Sequence, residues 1–137
     1  MPSTVKASYI TCHDTLTAPT IIGDLTGNVT GSVTGGVQMS ITDVSAATYT
    51  VTSTDNVLNC DTTSNAITIT LLAASADYKG TSITILDASG TFGTNNVTVE
   101  SSNETDTIQG STEDLIINVN NSSVDLLCTS ATGYNIV

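Results

Sequence analysis

From Thr48 onward, apolar side chains recur at every second position in short runs. Tyr49 and Val51 alternate with Thr48, Thr50 and Thr52, and Ile67, Ile69 and Leu71 alternate with Thr68 and Thr70. Ile83 and Ile85 follow, then Val97 and Val99, then Leu115, Ile117 and Val119, then Val124, Leu126 and Cys128, and finally Tyr134 and Ile136. A period of two places the apolar residues on one face of a strand and the threonines on the other. Clusters of Asp, Asn, Ser and Gly punctuate the runs, as in the Asp-Ala-Ser-Gly turn at Asp87–Gly90. Ser8–Cys12 reads as a candidate first strand, and Leu71–Gly80 has room for at most one helical turn. At least seven short strands, spaced roughly ten residues apart, predict an all-β fold of short antiparallel strands in a sandwich or barrel.

A different pattern precedes these strands. "GDLTGNVTGSVTGG", from Gly23 to Gly36, places a glycine at every fourth residue with Leu25, Val29 and Val33 midway between. Laid out as one extended strand to Val37, one face carries Leu25, Val29, Val33 and Val37 separated by Gly27, Gly31 and Gly35. The other face, with Asp24, Thr26, Asn28, Thr30, Ser32 and Thr34, is polar. One such strand alone is unstable, because glycine loses the most freedom on ordering and isolated strands are marginal. Copies around a symmetry axis remove the difficulty: the aliphatics of each chain fill the spaces beside its neighbours' glycines. Three chains are the smallest ring that closes without a free edge. The expectation is therefore a Gly-repeat β arm intertwined around a three-fold axis in a homotrimer, with those seven residues at the axis. The organisation expected is an N-terminal anchoring segment over 1–22, the arm and its connector over 23–47, and the β-sandwich over 48–137.

Composition narrows the function. Two basic residues stand against thirteen acidic ones, for a net charge of −11, and there is no Arg. That argues against nucleic acid and anionic membranes as partners, since phosphates are held by Lys and Arg. Charged residues make up only 11% of the chain, so solubility rests on hydroxyls and amides, to which 27 Thr and 16 Ser contribute. One Phe, four Tyr and no Trp leave an aliphatic core and no platform for stacking sugars or bases. No apolar run approaches the roughly 18 residues of a membrane span. "MPSTVKASYI" lacks the apolar centre of a signal peptide, so reduced thiols at Cys12, Cys60 and Cys128 are expected.

No constellation of residues supports catalysis. Cys12 and His13 are adjacent, so on a strand they point to opposite faces, and His13 is the sole histidine. The oxygen-rich stretches Asp87–Gly90 and Glu100–Asp106 match no EF-hand loop and read as solvated turns. No carboxylate pair, phosphate loop or metal cluster is recognisable. The expectation is a non-enzymatic protein with no cofactor and no metal. Val5, Tyr9, Ile10 and Leu16, scattered through an irregular segment with both prolines, are candidates for docking onto a partner surface.

"IIGDLTGNVTGSVTGG" resembles the Gly-x-Leu/Val-Thr runs of bacteriophage tail-fibre and head-fibre proteins. "SNAITITLLAASADYKGTSITILDASGTFGTNNVTVES", then "DTIQG" and "LIINVNNSSVDLLCTSATGYNIV", are similar to the C-terminal β-domains of such fibres, which finish on an aromatic-bearing strand, here with Tyr134. The resemblance spans roughly Ile21 to Val137. It implies a homotrimeric virion protein assembled in the bacterial cytoplasm, with the major capsid protein as partner. Only about twenty residues precede the arm, which favours a small capsid decoration (cement) protein or short head fibre over a complete tail fibre. The alternative is a fibre tip or adhesin that binds a host-surface receptor.

Overall fold

A computed structural model of the chain describes residues 34–137. The chain divides into two units between Gly36 and Val37, and the second, Val37–Val137, is compact. The second contains ten strands and a 3-10 turn at Ala76–Tyr78: β1 Ile41–Val44, β2 Thr48–Thr50, β3 Val57–Cys60, β4 Ile67–Thr70, β5 Ser82–Asp87, β6 Val97–Glu100, β7 Thr107–Ile108, β8 Leu115–Ile117, β9 Ser123–Ser130 and β10 Gly133–Ile136. The all-β expectation holds.

Successive strands alternate between two sheets. β1, β3 and β5 lie side by side in a six-stranded sheet ordered β1-β3-β5-β9-β10-β7, and β2, β4 and β6 lie side by side in a four-stranded sheet ordered β2-β4-β6-β8. Ile41 pairs with Val57 and Val57 with Thr84; Thr48 pairs with Thr68 and Thr68 with Thr98. The chain thus winds through three coils, each contributing one strand to each sheet. β8 and β9 run the other way, β8 antiparallel to β6 and β9 antiparallel to β5, and β10 turns back antiparallel to β9 and parallel to β7.

The expectation of antiparallel strands is corrected by this winding. Five of the eight strand pairings are parallel. A strand that crosses to the opposite sheet and returns re-enters beside its predecessor in the same direction, whereas a hairpin would reverse it. The period-two pattern records which side of a strand is buried and says nothing about its partner's direction. Alternation usually marks antiparallel sheets because parallel ones are generally covered on both faces. Here the parallel pairs belong to two mixed sheets that cover each other on their inner faces, and outer positions such as Ile41 and Thr48 are exposed.

Between the sheets lies an aliphatic core. Leu58, Cys60, Ile83, Ile85, Leu126 and Cys128 from the larger sheet meet Ile67, Ile69, Val97, Val99 and Ile117 from the smaller. Phe92, on the turn after β5, is fully buried among them. The predicted runs supply most of these positions, but Leu58 and Cys60 on β3 and Phe92 lie outside them, and Val119 and Ile136 within them are exposed. Tyr134 closes the core at its far end and donates its hydroxyl proton to the Leu72 carbonyl at 3.1 Å. Burial pushes that phenol up to about 12, with Cys128, Asp106 and Tyr78 adding to the shift. Gly133 is required by close approach, since a Cβ there would lie 2.7 Å from Thr107 Oγ1 and 3.2 Å from the Thr107 carbonyl.

Candidate functional site

The first coil, β1 with β2, stands at the open end of the stack, because each of these strands is at the edge of its sheet. A buried carboxylate ties the two together. Asp55 accepts hydrogen bonds from Thr42 Oγ1 on β1 at 2.7 Å and from Tyr49 Oη on β2 at 3.0 Å. Thr52 adds its backbone N–H and its hydroxyl, both at 2.8 Å. Burial raises the carboxyl's pKa, but these four donors outweigh it and hold the group below its ordinary value. Tyr49 is shifted upward by burial and by the proton it shares with Asp55.

Even-numbered residues fasten the entering chain to the domain. Ser40 Oγ donates to the Thr54 carbonyl at 2.7 Å and to Asn56 Oδ1 at 3.0 Å, and its own carbonyl accepts from Val57 N–H. Thr42 reaches Asp55, Val44 is buried, and the Val44 carbonyl accepts from Asp61 N–H. Odd-numbered residues point the other way. Val37, Met39 and Ile41 are 70%, 59% and 67% exposed, and Asp43 lies on the surface with Asn59 Nδ2 bonded to it at 2.9 Å.

Of the residues placed at the trimer axis, Gly35 and Val37 are described. Leu25, Gly27, Val29, Gly31 and Val33 lie outside the described residues, as do Val5, Tyr9, Ile10, Leu16, Cys12 and His13. Thr34–Ser40 forms no strand, and Gly35 adopts φ +131, a conformation that L side chains rarely reach. In this part of the repeat the layout as one continuous strand therefore gives way to an irregular, exposed segment. A strand needs a partner for its backbone, and no strand among the described residues pairs with Thr34–Met39.

The turns considered as cation sites are built around their own backbone. Asp87 Oδ1 accepts from the N–H groups of Gly90 at 2.8 Å and Thr91 at 3.1 Å, and Oδ2 from those of Asn121 at 2.9 Å and Phe92 at 3.2 Å. Burial raises this carboxyl too, and the backbone donors bring it below its usual value. Asp106 Oδ2 accepts from Ala74 N–H at 2.7 Å and from Asn103 Nδ2 at 2.9 Å. Both acids serve as turn anchors. Among the described residues no group of three His, Cys, Asp or Glu side chains could hold a metal ion. Cys60 and Cys128 are free and buried, and desolvation, with the Asp87 charge nearby, pushes the Cys60 thiol up to about 12.

Sequence reasoning missed β1. Thr42 and Val44 are its only inward residues, too few to register as alternation, and the strand falls within the expected connector. Asp55 was missed as well, since an isolated acid between strands looks like any loop residue. Among the described residues, no helix is long and apolar enough to cross a membrane. No protein-family model matches the chain, and no curated protein matches it.

Proposed function

We propose that this chain is a non-enzymatic structural protein of a bacteriophage particle, a homotrimeric capsid decoration protein or short head fibre. The observation that carries the reading is the junction between the repeat and the folded unit. A Gly/aliphatic period leads into Val37, Met39 and Ile41, which a single chain leaves open to water. Burying one such side chain contributes about 1.5–3 kcal/mol, and each additional copy multiplies that gain. The coiled two-sheet domain beyond the junction suits a passive role, with polar groups such as Asp55, Asp87 and Asp106 engaged in holding turns and strands.

In this reading the arm trimerises around Leu25, Val29 and Val33. The first twenty-two residues then fold onto the major capsid protein through Val5, Tyr9, Ile10 and Leu16. Capsids stripped of the protein provide the test. The full chain is expected to rebind at many lattice positions, and a chain starting near Thr20 to remain a trimer but fail to bind. Rebinding by both would move the contact into the β-domain, whereas a handful of copies at a fibre tip would favour the receptor-binding adhesin.

A further inference from the structure

We infer that the outward side of the first coil, Met39 and Ile41 with Val57 beside them, is itself a contact surface for further copies of this chain. The assembly seam then runs from the repeat onto the folded domain. The inference rests on the self-association reading above and extends it to residues that the repeat does not contain.

Three observations carry it. The first is direction. Ser40, Thr42 and Val44 are each engaged with their own domain, so Met39 and Ile41 are turned away from the core that the described residues form. Val57, paired with Ile41 across the β1–β3 ladder, continues the apolar surface onto the second coil.

The second is charge. Leu25 to Thr42 contains no ionisable side chain and is the longest such stretch in a chain of net charge −11. Identical copies repel one another wherever their carboxylates approach. This stretch is where they come together at least electrostatic cost, and it ends on β1 at Asp43, just beyond Ile41.

The third is the backbone. The Ser40 and Val44 carbonyls face β3, and backbone groups alternate in direction along a strand. Ile41 and Asp43 therefore turn their N–H and C=O groups to the outer edge of the six-stranded sheet, where no strand among the described residues pairs with them. An edge with apolar side chains and no protecting Lys or Pro invites another chain. With apolar cover on its outward face and backbone partners at its edge both wanting among the described residues, β1 fits a second copy better than a charged or sugar ligand.

The test is the mass in solution of four full-length chains, measured by light scattering: wild type, Ile41→Asp, Val29→Asp and Ile116→Asp. Ile116 is 57% exposed on β8, in the other sheet, and controls for an added surface charge. Ile41 makes no core contact, so Ile41→Asp is expected to keep the wild-type circular dichroism and fall to single chains, or to associate at least tenfold more weakly. Ile116→Asp is expected to stay assembled. If wild type assembles, Val29→Asp dissociates and Ile41→Asp stays intact, the seam stops before β1; this inference alone then fails. A monomeric wild type overturns the self-association reading and the inference together. Should Ile41→Asp lose its β-signal, Ile41→Thr, which keeps β-branching, replaces it, and unchanged association of that variant counts against the seam.

Discussion

On the outward face of the four-stranded sheet, Thr48, Thr68 and Thr98 stand side by side across three parallel strands, with Thr50, Thr70 and Glu100 in the next row. The corresponding rows of the six-stranded sheet are Ile41, Val57, Thr84 and Asp125, then Asp43, Asn59, Leu86 and Ser123. The threonine face answers its own needs: Thr70 Oγ1 donates to Glu100 at 2.7 Å, Asn96 Nδ2 donates to Thr98 Oγ1 at 3.0 Å, and water can reach the rest. The other face is bonded where it is polar, as at Thr84–Asp125 and Asn59–Asp43, but bare and apolar at its β1 edge. The coils and core behind the two faces are the same. A β-branched residue suits the pleat on either face, so the choice of Thr or Ile outside reflects what the face is to meet rather than what the strand needs to form.

Inward and outward isoleucines give the sharpest way to break this comparison. Ile69→Ala, in the core, is expected to lose about 2–5 kcal/mol through lost burial and the cavity left behind. Ile41→Ala, measured in the dissociated chain by urea denaturation, should change stability by no more than about 0.5 kcal/mol. A large loss at Ile41 in a single chain would mean that the β1 face is already covered within it.

The link between the two sheets comes next. Asp55→Ala leaves the Thr52 N–H and the Thr42 and Tyr49 hydroxyls without their acceptor, at an expected cost of about 1–3 kcal/mol. Hydrogen exchange should localise the loosening to β1 and β2 and spare β5 and β9. Uniform loosening would show that the first coil cannot open separately.

Acid should act through the same carboxylates. Asp55 and Asp87 have folded-state pKa values below their ordinary ones, so they stabilise the fold above the unfolded value of about 3.9, and that contribution is lost as pH falls through the lower folded value. The melting temperature should drop below pH 4, and less steeply in Asp87→Asn, which no longer titrates. Tyr134 works in the opposite sense. Its folded value is raised, so its contribution is full below pH 10 and lost as pH climbs toward about 12. Tyr134→Phe should flatten that alkaline limb.

The smallest effect is expected on the threonine face. Thr68→Val keeps the β-branched shape and removes one half-exposed hydroxyl, so stability should move by about 0.5 kcal/mol or less, and oligomeric mass not at all. A change in mass would make this face an assembly surface too.

Much of the domain is legible in the chain, and for a local reason. Whether Ile69 faces inward and Thr68 outward follows from backbone geometry at neighbouring residues, so the alternation at Ile67–Leu71, Ile83–Ile85 and Val97–Val99 determined the strands and the core-facing side of each. The charge-poor surface and the Gly/aliphatic period were equally plain in the composition and order of residues. Only tertiary structure decided which strands became neighbours and in what direction. Pairing Ile41 with Val57 and Thr84 joins coils separated by long loops, and no residue along the way encodes a parallel return rather than a hairpin. The same distance hid Asp55, whose role exists only once β1 and β2 converge on it, and it hid the outward turn of Ile41, which is defined by Ser40, Thr42 and Val44 finding partners in the folded domain.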